Sequence, residues 1–126
     1  MKHIEFNDYQ PIYQQLMDHI SQRICRGDLA PGEKLPSVRT MAVEAGVNPN
    51  TVSRTYMELE REKIVESRRG QGTFVTEEKQ VIEKLRKSQA AVQADRFKSS
   101  MEQLGIDKET AFQLLNNTWD GNGGSS

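Results

Sequence analysis

The segment NPNTVSR, residues 48–54, concentrates side chains that hydrogen-bond and offers few that would bury. An amide can pair with adenine, a guanidinium with guanine, and a hydroxyl with either a base or a phosphate. Asn50 and Arg54 stand four apart, so on a helix they share a face, with Thr51 beside them. Asn48 before Pro49 reads as a cap followed by a first helical residue, whose missing N–H loses nothing. Ser53 adds a further hydroxyl. A plain solvated helix start has the same composition, so the surroundings must decide.

Two other clusters carry similar chemistry. Ser37 sits where an N-cap belongs, and the free amides behind it can hold a phosphate. Arg39 follows in the first turn, either facing a nucleic acid or pairing as a surface arginine with Glu44. RRGQG then places Arg68 and Arg69 near Gly70 and Gly72, which carry no side chain. Backbone there can approach a duplex closely, and either arginine can enter a minor groove or meet phosphates. Gln71 and Thr73 complete this set.

These groups need rigid supports. Pro11 opens a helix running to about Arg26, with Ile12, Leu16, Ile20 and Ile24 as one apolar stripe and Gly27 as its stop. GDLAPGEKLP reads as a connector with a short strand around Leu29. Val38, Met41, Ala42 and Ala45 face inward from a second helix that ends at Gly46. Val52, Tyr56 and Leu59 do the same for a third, over about 49–62. Two short helices joined by a glycine-containing turn make a helix-turn-helix signature. IVES and TFVT flank RRGQG as a β-hairpin over 64–75, with Phe74 packing inward.

From Glu77 the composition shifts to Lys, Glu, Gln and Ala. Val81, Ile82, Leu85, Val92, Phe97 and Met101 mark a long amphipathic helix over about 79–103. Residues 104–106 break it, and Asp107 caps a last short helix carrying Ala111, Phe112, Leu114 and Leu115. The expected fold class is mainly α. A winged helix-turn-helix domain with a β-hairpin wing spans 1–76, a two-helix region spans 77–116, and 117–126 form a disordered tail.

Composition narrows the functions. Hydrophobic residues are 35% and charged residues 28% of 126, which implies a small core and a large surface. No apolar run approaches the roughly 18 residues of a membrane span, and the N-terminus lacks the apolar core of a signal peptide. Cys25 alone cannot form an internal disulfide, so the cytoplasm is the expected location. Net charge is −1, and residues 1–76 balance at zero, so any DNA-facing surface must be a local patch. His3, His19 and Cys25 have no metal-ligand spacing, and neither a P-loop nor a nucleophile–base pairing occurs. Neither cofactor, metal nor enzymatic activity is expected. Tyr9, Tyr13 and Tyr56 read as core or rim packing rather than base-stacking platforms.

Residues 11–75 closely resemble the DNA-binding domain of the GntR family of bacterial transcription regulators. The resemblance lies in GDLAPGEKLPSVR, the turn, the third helix and RGQGTFV. VNPNTVSRTY and the short remainder resemble the YtrA subfamily, whose two C-terminal helices dimerise. The resemblance implies a sequence-specific regulator of double-stranded DNA that uses a recognition helix and a wing. The expected contacts are those named above: Ser37, Arg39, Asn48, Asn50, Thr51, Ser53, Arg54, Arg68, Arg69, Gly70, Gln71, Gly72 and Thr73. Many relatives carry arginine where this chain has Pro49, and another where it has Ser53, which implies a different operator.

The apolar side of the long helix exceeds what a lone winged domain can cover, so a second copy is the economical partner. Val81, Leu85, Val92, Phe97, Met101, Phe112 and Leu115 are the expected dimer interface. Such a homodimer would repress from an inverted repeat with half-sites about one helical turn apart or a little more. About 40 residues after the wing cannot enclose a metabolite cavity of some 300 Å³. Any effector, unidentified in sequence, is expected at a shallow site at the dimer interface or the hinge. The competing class is a winged-helix module for protein–protein interaction without DNA binding.

Overall fold

Helix α1, Ile12–Arg26, turns Leu16, Ile20 and Ile24 fully inward. Ile12 has the same spacing but is exposed, because the helix begins there and its first turn overhangs the core. Pro11 stands one position ahead of the helix, with an extended ψ of 139°. Upstream, the Asn7 side-chain carbonyl accepts from the Tyr9 and Gln10 amides, and Gln15 bonds the Asn7 backbone in both directions. Gly27 ends the helix at φ 89°, its N–H donating to the Ile24 carbonyl at 3.1 Å. A left-handed residue at that point suits glycine.

The computed structural model describes residues 4–124. Beyond α1 it contains α2 (Val38–Ala45), α3 (Pro49–Arg61), strands β1 (Val65–Arg68) and β2 (Gly72–Val75), α4 (Lys79–Gln103) and α5 (Lys108–Gly124). Two units are distinguished, Met1–Ser88 and Gln89–Ser126.

In the first unit α2 and α3 form the helix-turn-helix. Met41 and Ala42 of α2 and Val52, Tyr56 and Leu59 of α3 join the α1 stripe in one core, which also takes Leu29 and Leu35. Burying a leucine or isoleucine side chain contributes about 1.5–3 kcal/mol, so these positions hold the unit together. β1 and β2 pair antiparallel with Val65 opposite Val75 and Arg68 opposite Gly72. No strand forms at Leu29. Its side chain is buried, and residues 32–35 instead lie along the β2 edge of the two-stranded sheet through an isolated bridge, Lys34 to Phe74. There the Leu35 amide donates to the Thr73 carbonyl and the Val75 amide to the Glu33 carbonyl, both at 2.8 Å.

The sequence divides the chain at 76/77, but the first unit extends to Ser88. Ile82 of α4 is buried with the winged core, and Leu85 packs against it. The Arg86 guanidinium donates to the Cys25 carbonyl at 2.7 Å, satisfying one of the orphan acceptors at the end of α1. Val81 and Leu85, expected at a dimer interface, are both half-buried, and Leu85 packs against the winged core.

In the second unit α4 ends at Gln103, Gly105 follows at φ 73°, and the Ile106 amide returns to the Met101 carbonyl at 2.9 Å. Asp107 caps α5 by accepting from the Thr110 amide at 2.9 Å. These hydrogen bonds hold its carboxyl below the usual carboxylate range. Ala111 is buried, Phe97, Met101 and Leu115 are half-buried, and Val92, Phe112, Leu114 and Trp119 are exposed. The tail expected over 117–126 differs: α5 continues to Gly124. The first helix-weakening glycine after Lys108 is Gly121, so nothing stops the helix earlier. Residues 125–126 lie outside the described residues.

Candidate nucleic-acid interface

The start of α3 is built as the residue types suggest. The Asn48 side chain accepts from the Asn50 amide at 2.7 Å, capping the helix, and Pro49 takes the first turn. Asn48, Asn50, Ser53 and Arg54 are exposed and Thr51 is half-exposed, while Val52 and Thr55 are fully buried. The Thr55 hydroxyl donates to the Thr51 carbonyl at 2.8 Å, so it needs no solvent. Tyr56 donates to the Pro36 carbonyl at 2.7 Å, tying α3 to the entry of α2. Burial, and then the charge of Glu44, push its hydroxyl ionisation well above the ordinary range.

At α2, Ser37 accepts from the Thr40 amide at 3.1 Å, and both Ser37 and Arg39 are exposed. The cap leaves the Val38 and Arg39 amides directed out of the helix end, where an anion is stabilised. Lys34 stands next to this end, across from the wing. With Ser37, Tyr56, Gly70, Gln71 and Thr73 it lines an open cleft of about 330 Å³. The wing tip and the start of α2 therefore stand side by side.

The wing turns at residues 68–71, where the Gln71 amide donates to the Arg68 carbonyl at 2.8 Å and Gly70 takes φ 74°. A type II turn demands a left-handed residue at that third position. Arg69, Gly70, Gln71 and Gly72 are all exposed. Arg68 also makes contacts within the wing. Its guanidinium bonds Glu66 at 2.9 Å, approaches Glu77 at 3.8 Å and lies 4.1 Å from the Phe74 ring centroid. Glu66 and Phe74 flank it on the strand pair, and Glu77 stands just beyond β2. Phe74 is half-buried beneath it rather than fully inside.

The structure also adds residues with no signature in the sequence. Glu60 of α3 accepts from the Ser67 amide at 3.2 Å and the Ser67 hydroxyl at 3.1 Å, latching the wing to the helix. Tyr13 of α1 lies under Arg54, with the guanidinium carbon 3.8 Å from the ring centroid. Neither pairing has a local spacing that could reveal it. Lys34 lies in the quoted run GDLAPGEKLPSVR, but only the hairpin register brings it to the wing. Among the described residues no cluster of His, Cys, Asp and Glu could hold a metal ion, and no helix is long and apolar enough to cross a membrane.

Three helices with an exposed polar start on the last of them, and a hairpin tip beside the second, define a winged helix-turn-helix DNA-binding unit. Residues 12–75 match the family described as bacterial regulatory proteins, gntR family. The chain is 43% identical over 117 residues to the HTH-type transcriptional regulator YhcF of Bacillus subtilis, covering 93% of this chain and 97% of that protein. It is 49% identical over 67 residues to the HTH-type transcriptional repressor YtrA of the same organism, covering 53% and 52% of the two chains. A GntR family transcriptional regulator from Listeria monocytogenes superposes with a TM-score of 0.82 at 39% identity, covering 89% of this chain and 98% of the other. AraR(DBD) in complex with operator ORX1 matches with a TM-score of 0.55 at 25% identity, over 60% and 96%. The chain belongs to the GntR family of transcriptional regulators.

Proposed function

We propose that the protein is a homodimeric repressor that occupies an inverted-repeat operator in double-stranded DNA. The observation that carries this reading is the start of α3, where Asn48, Asn50, Ser53 and Arg54 face solvent while Val52, Tyr56 and Leu59 face the core. Asn50, Thr51, Ser53 and Arg54 read base edges in the major groove. Asn48 caps the helix and offers its exposed side to the backbone. Ser37, Arg39 and the α2 amides hold a phosphate. Arg69, Gln71 and Thr73 touch sugar, phosphate or minor groove, and Gly70 and Gly72 let the backbone come close. The operator-bound AraR relative and the repressor name of YtrA support DNA occupancy and its sign.

Dimerisation is supported by the second unit, whose large side chains Val92, Phe112, Leu114 and Trp119 are exposed. Phe97, Met101 and Leu115 complete the proposed interface with the exposed part of Val81, while Leu85 packs mainly against the winged core. The cytoplasm is the compartment in which it acts.

Selection of bound duplexes from a random pool tests the reading. Two symmetric half-sites about one helical turn apart are expected. A single asymmetric site refutes the dimer. A footprint lying wholly upstream of the promoter, with transcription raised by the protein, reverses the sign of regulation.

A further inference from the structure

Arg54 is the only cation on the proposed base-reading face of α3, and its direction is not set by α3 alone. Its guanidinium carbon lies 3.8 Å from the Tyr13 ring centroid, which is stacking distance. Tyr13 is the second residue of α1, remote in sequence from Arg54. Its position is fixed twice. α1 is anchored by the fully buried Leu16 and Ile20, and the Tyr13 carbonyl lies 3.4 Å from the Thr55 hydroxyl, the longer branch of a hydrogen bond whose main acceptor is the Thr51 carbonyl. Thr55 is the residue after Arg54 and is itself fully buried. The backbone of Tyr13 is therefore registered to the very turn of α3 that carries the arginine.

A free arginine side chain samples many rotamers, and ordering it on binding opposes affinity. A ring that already holds the guanidinium removes part of that cost. It also leaves the in-plane N–H donors free, because a stacked guanidinium presents its face and not its edge to the ring. Those edge donors are the ones that meet O6 and N7 of guanine.

We propose that Tyr13 is a specificity-determining positioning residue: by stacking on Arg54 it fixes the arginine's reach and so sets the base preference at one position of the operator. This rests on the reading that Arg54 touches a base. Tyr13 itself touches no DNA in this account and acts through Arg54.

The test quantifies base preference across the selected site for wild type, Tyr13→Phe, Tyr13→Leu, Arg54→Ala and the Tyr13→Leu/Arg54→Ala double variant, with thermal unfolding measured for each. Arg54→Ala is expected to lose about thirty-fold of discrimination at one base pair, the middle of the range for a bidentate contact. Tyr13→Leu is expected to lose about three-fold at that same base pair, the share an exposed stack supplies. Tyr13→Phe keeps the ring and keeps the preference. In the Arg54→Ala background Tyr13→Leu changes the preference no further. Tyr13→Leu weakening all sequences equally, or leaving the preference intact while Arg54→Ala relaxes it, overturns the positioning role alone. Arg54→Ala relaxing no position overturns the base-contact reading and the positioning role with it.

Discussion

Gly72 opens β2 at φ 121°, a backbone conformation that L side chains rarely adopt. A Cβ built there would lie 2.7 Å from the Lys34 Cε, well inside van der Waals contact. Two costs therefore compete in Gly72→Ala. The clash is with the far end of an exposed lysine, which can swing away cheaply. The backbone cannot move as easily, because Arg68 pairs opposite Gly72 and the next residue, Thr73, bonds Leu35. Holding a non-glycine residue in such a region costs about 1–3 kcal/mol. The reduced entropy of the unfolded chain returns about 0.4–1 kcal/mol. A net loss of about 1–2 kcal/mol is expected, which lowers Tm by roughly 5–10 °C for a unit of this size. Denaturant and thermal unfolding of Gly72→Ala, Lys34→Ala and the double variant measure it. If the backbone dominates, the double variant is no more stable than Gly72→Ala. Recovery of wild-type stability on removing the lysine stem would refute the reasoning, since it would make the clash the whole cost. Gly70→Ala is the control: φ is 74° and the space is open, so it should lose less.

Arg69→Ala should lower the slope of log K against log salt by about 1, the signature of one lost phosphate contact, whereas Arg68→Ala should leave the slope and lower the melting temperature. Tyr56→Phe strips the Pro36 carbonyl of its donor and should cost about 1 kcal/mol in urea unfolding. His19 has its pKa lowered by burial and then by the charges of Arg23 and Arg26. The folded state therefore favours the neutral ring. Its stabilising effect is present above the unfolded value of about 6.5 and is lost as pH falls through the folded value. Urea titrations at pH 7.5 and pH 5 should show wild type losing more stability on acidification than His19→Gln.

The helices were legible in the sequence because each carries its own punctuation. Asn48-Pro49, Ser37, Gly27, Gly46 and Asp107 are local caps and stops, and all of them act as such in the structure. The inward faces of α2 and α3 followed from periodicity alone. What escaped was non-local. The edge formed by residues 32–35 needs a partner 40 positions on, at Phe74. The end of the winged unit at Ser88 goes with Ile82 joining the core and Arg86 reaching the Cys25 carbonyl, which no composition shift marks. Both arginines of RRGQG stood as candidate contacts, with Arg69 preferred, because nothing in that run says which one Glu66, Glu77 and Phe74 will hold. The polar entry to α3 was readable, but the Tyr13 ring under Arg54 and the Glu60 latch on the wing were not.

The way Arg68 is retained has a bearing on swapping wings between relatives. A graft of the tip alone would carry the arginine away from the ring and the two carboxylates that neutralise it. It would then arrive in the new host as an extra loose cation, raising affinity for any duplex and blurring the choice among them. A transplant that keeps this protein's selectivity has to bring both strands and Glu77 along with the turn.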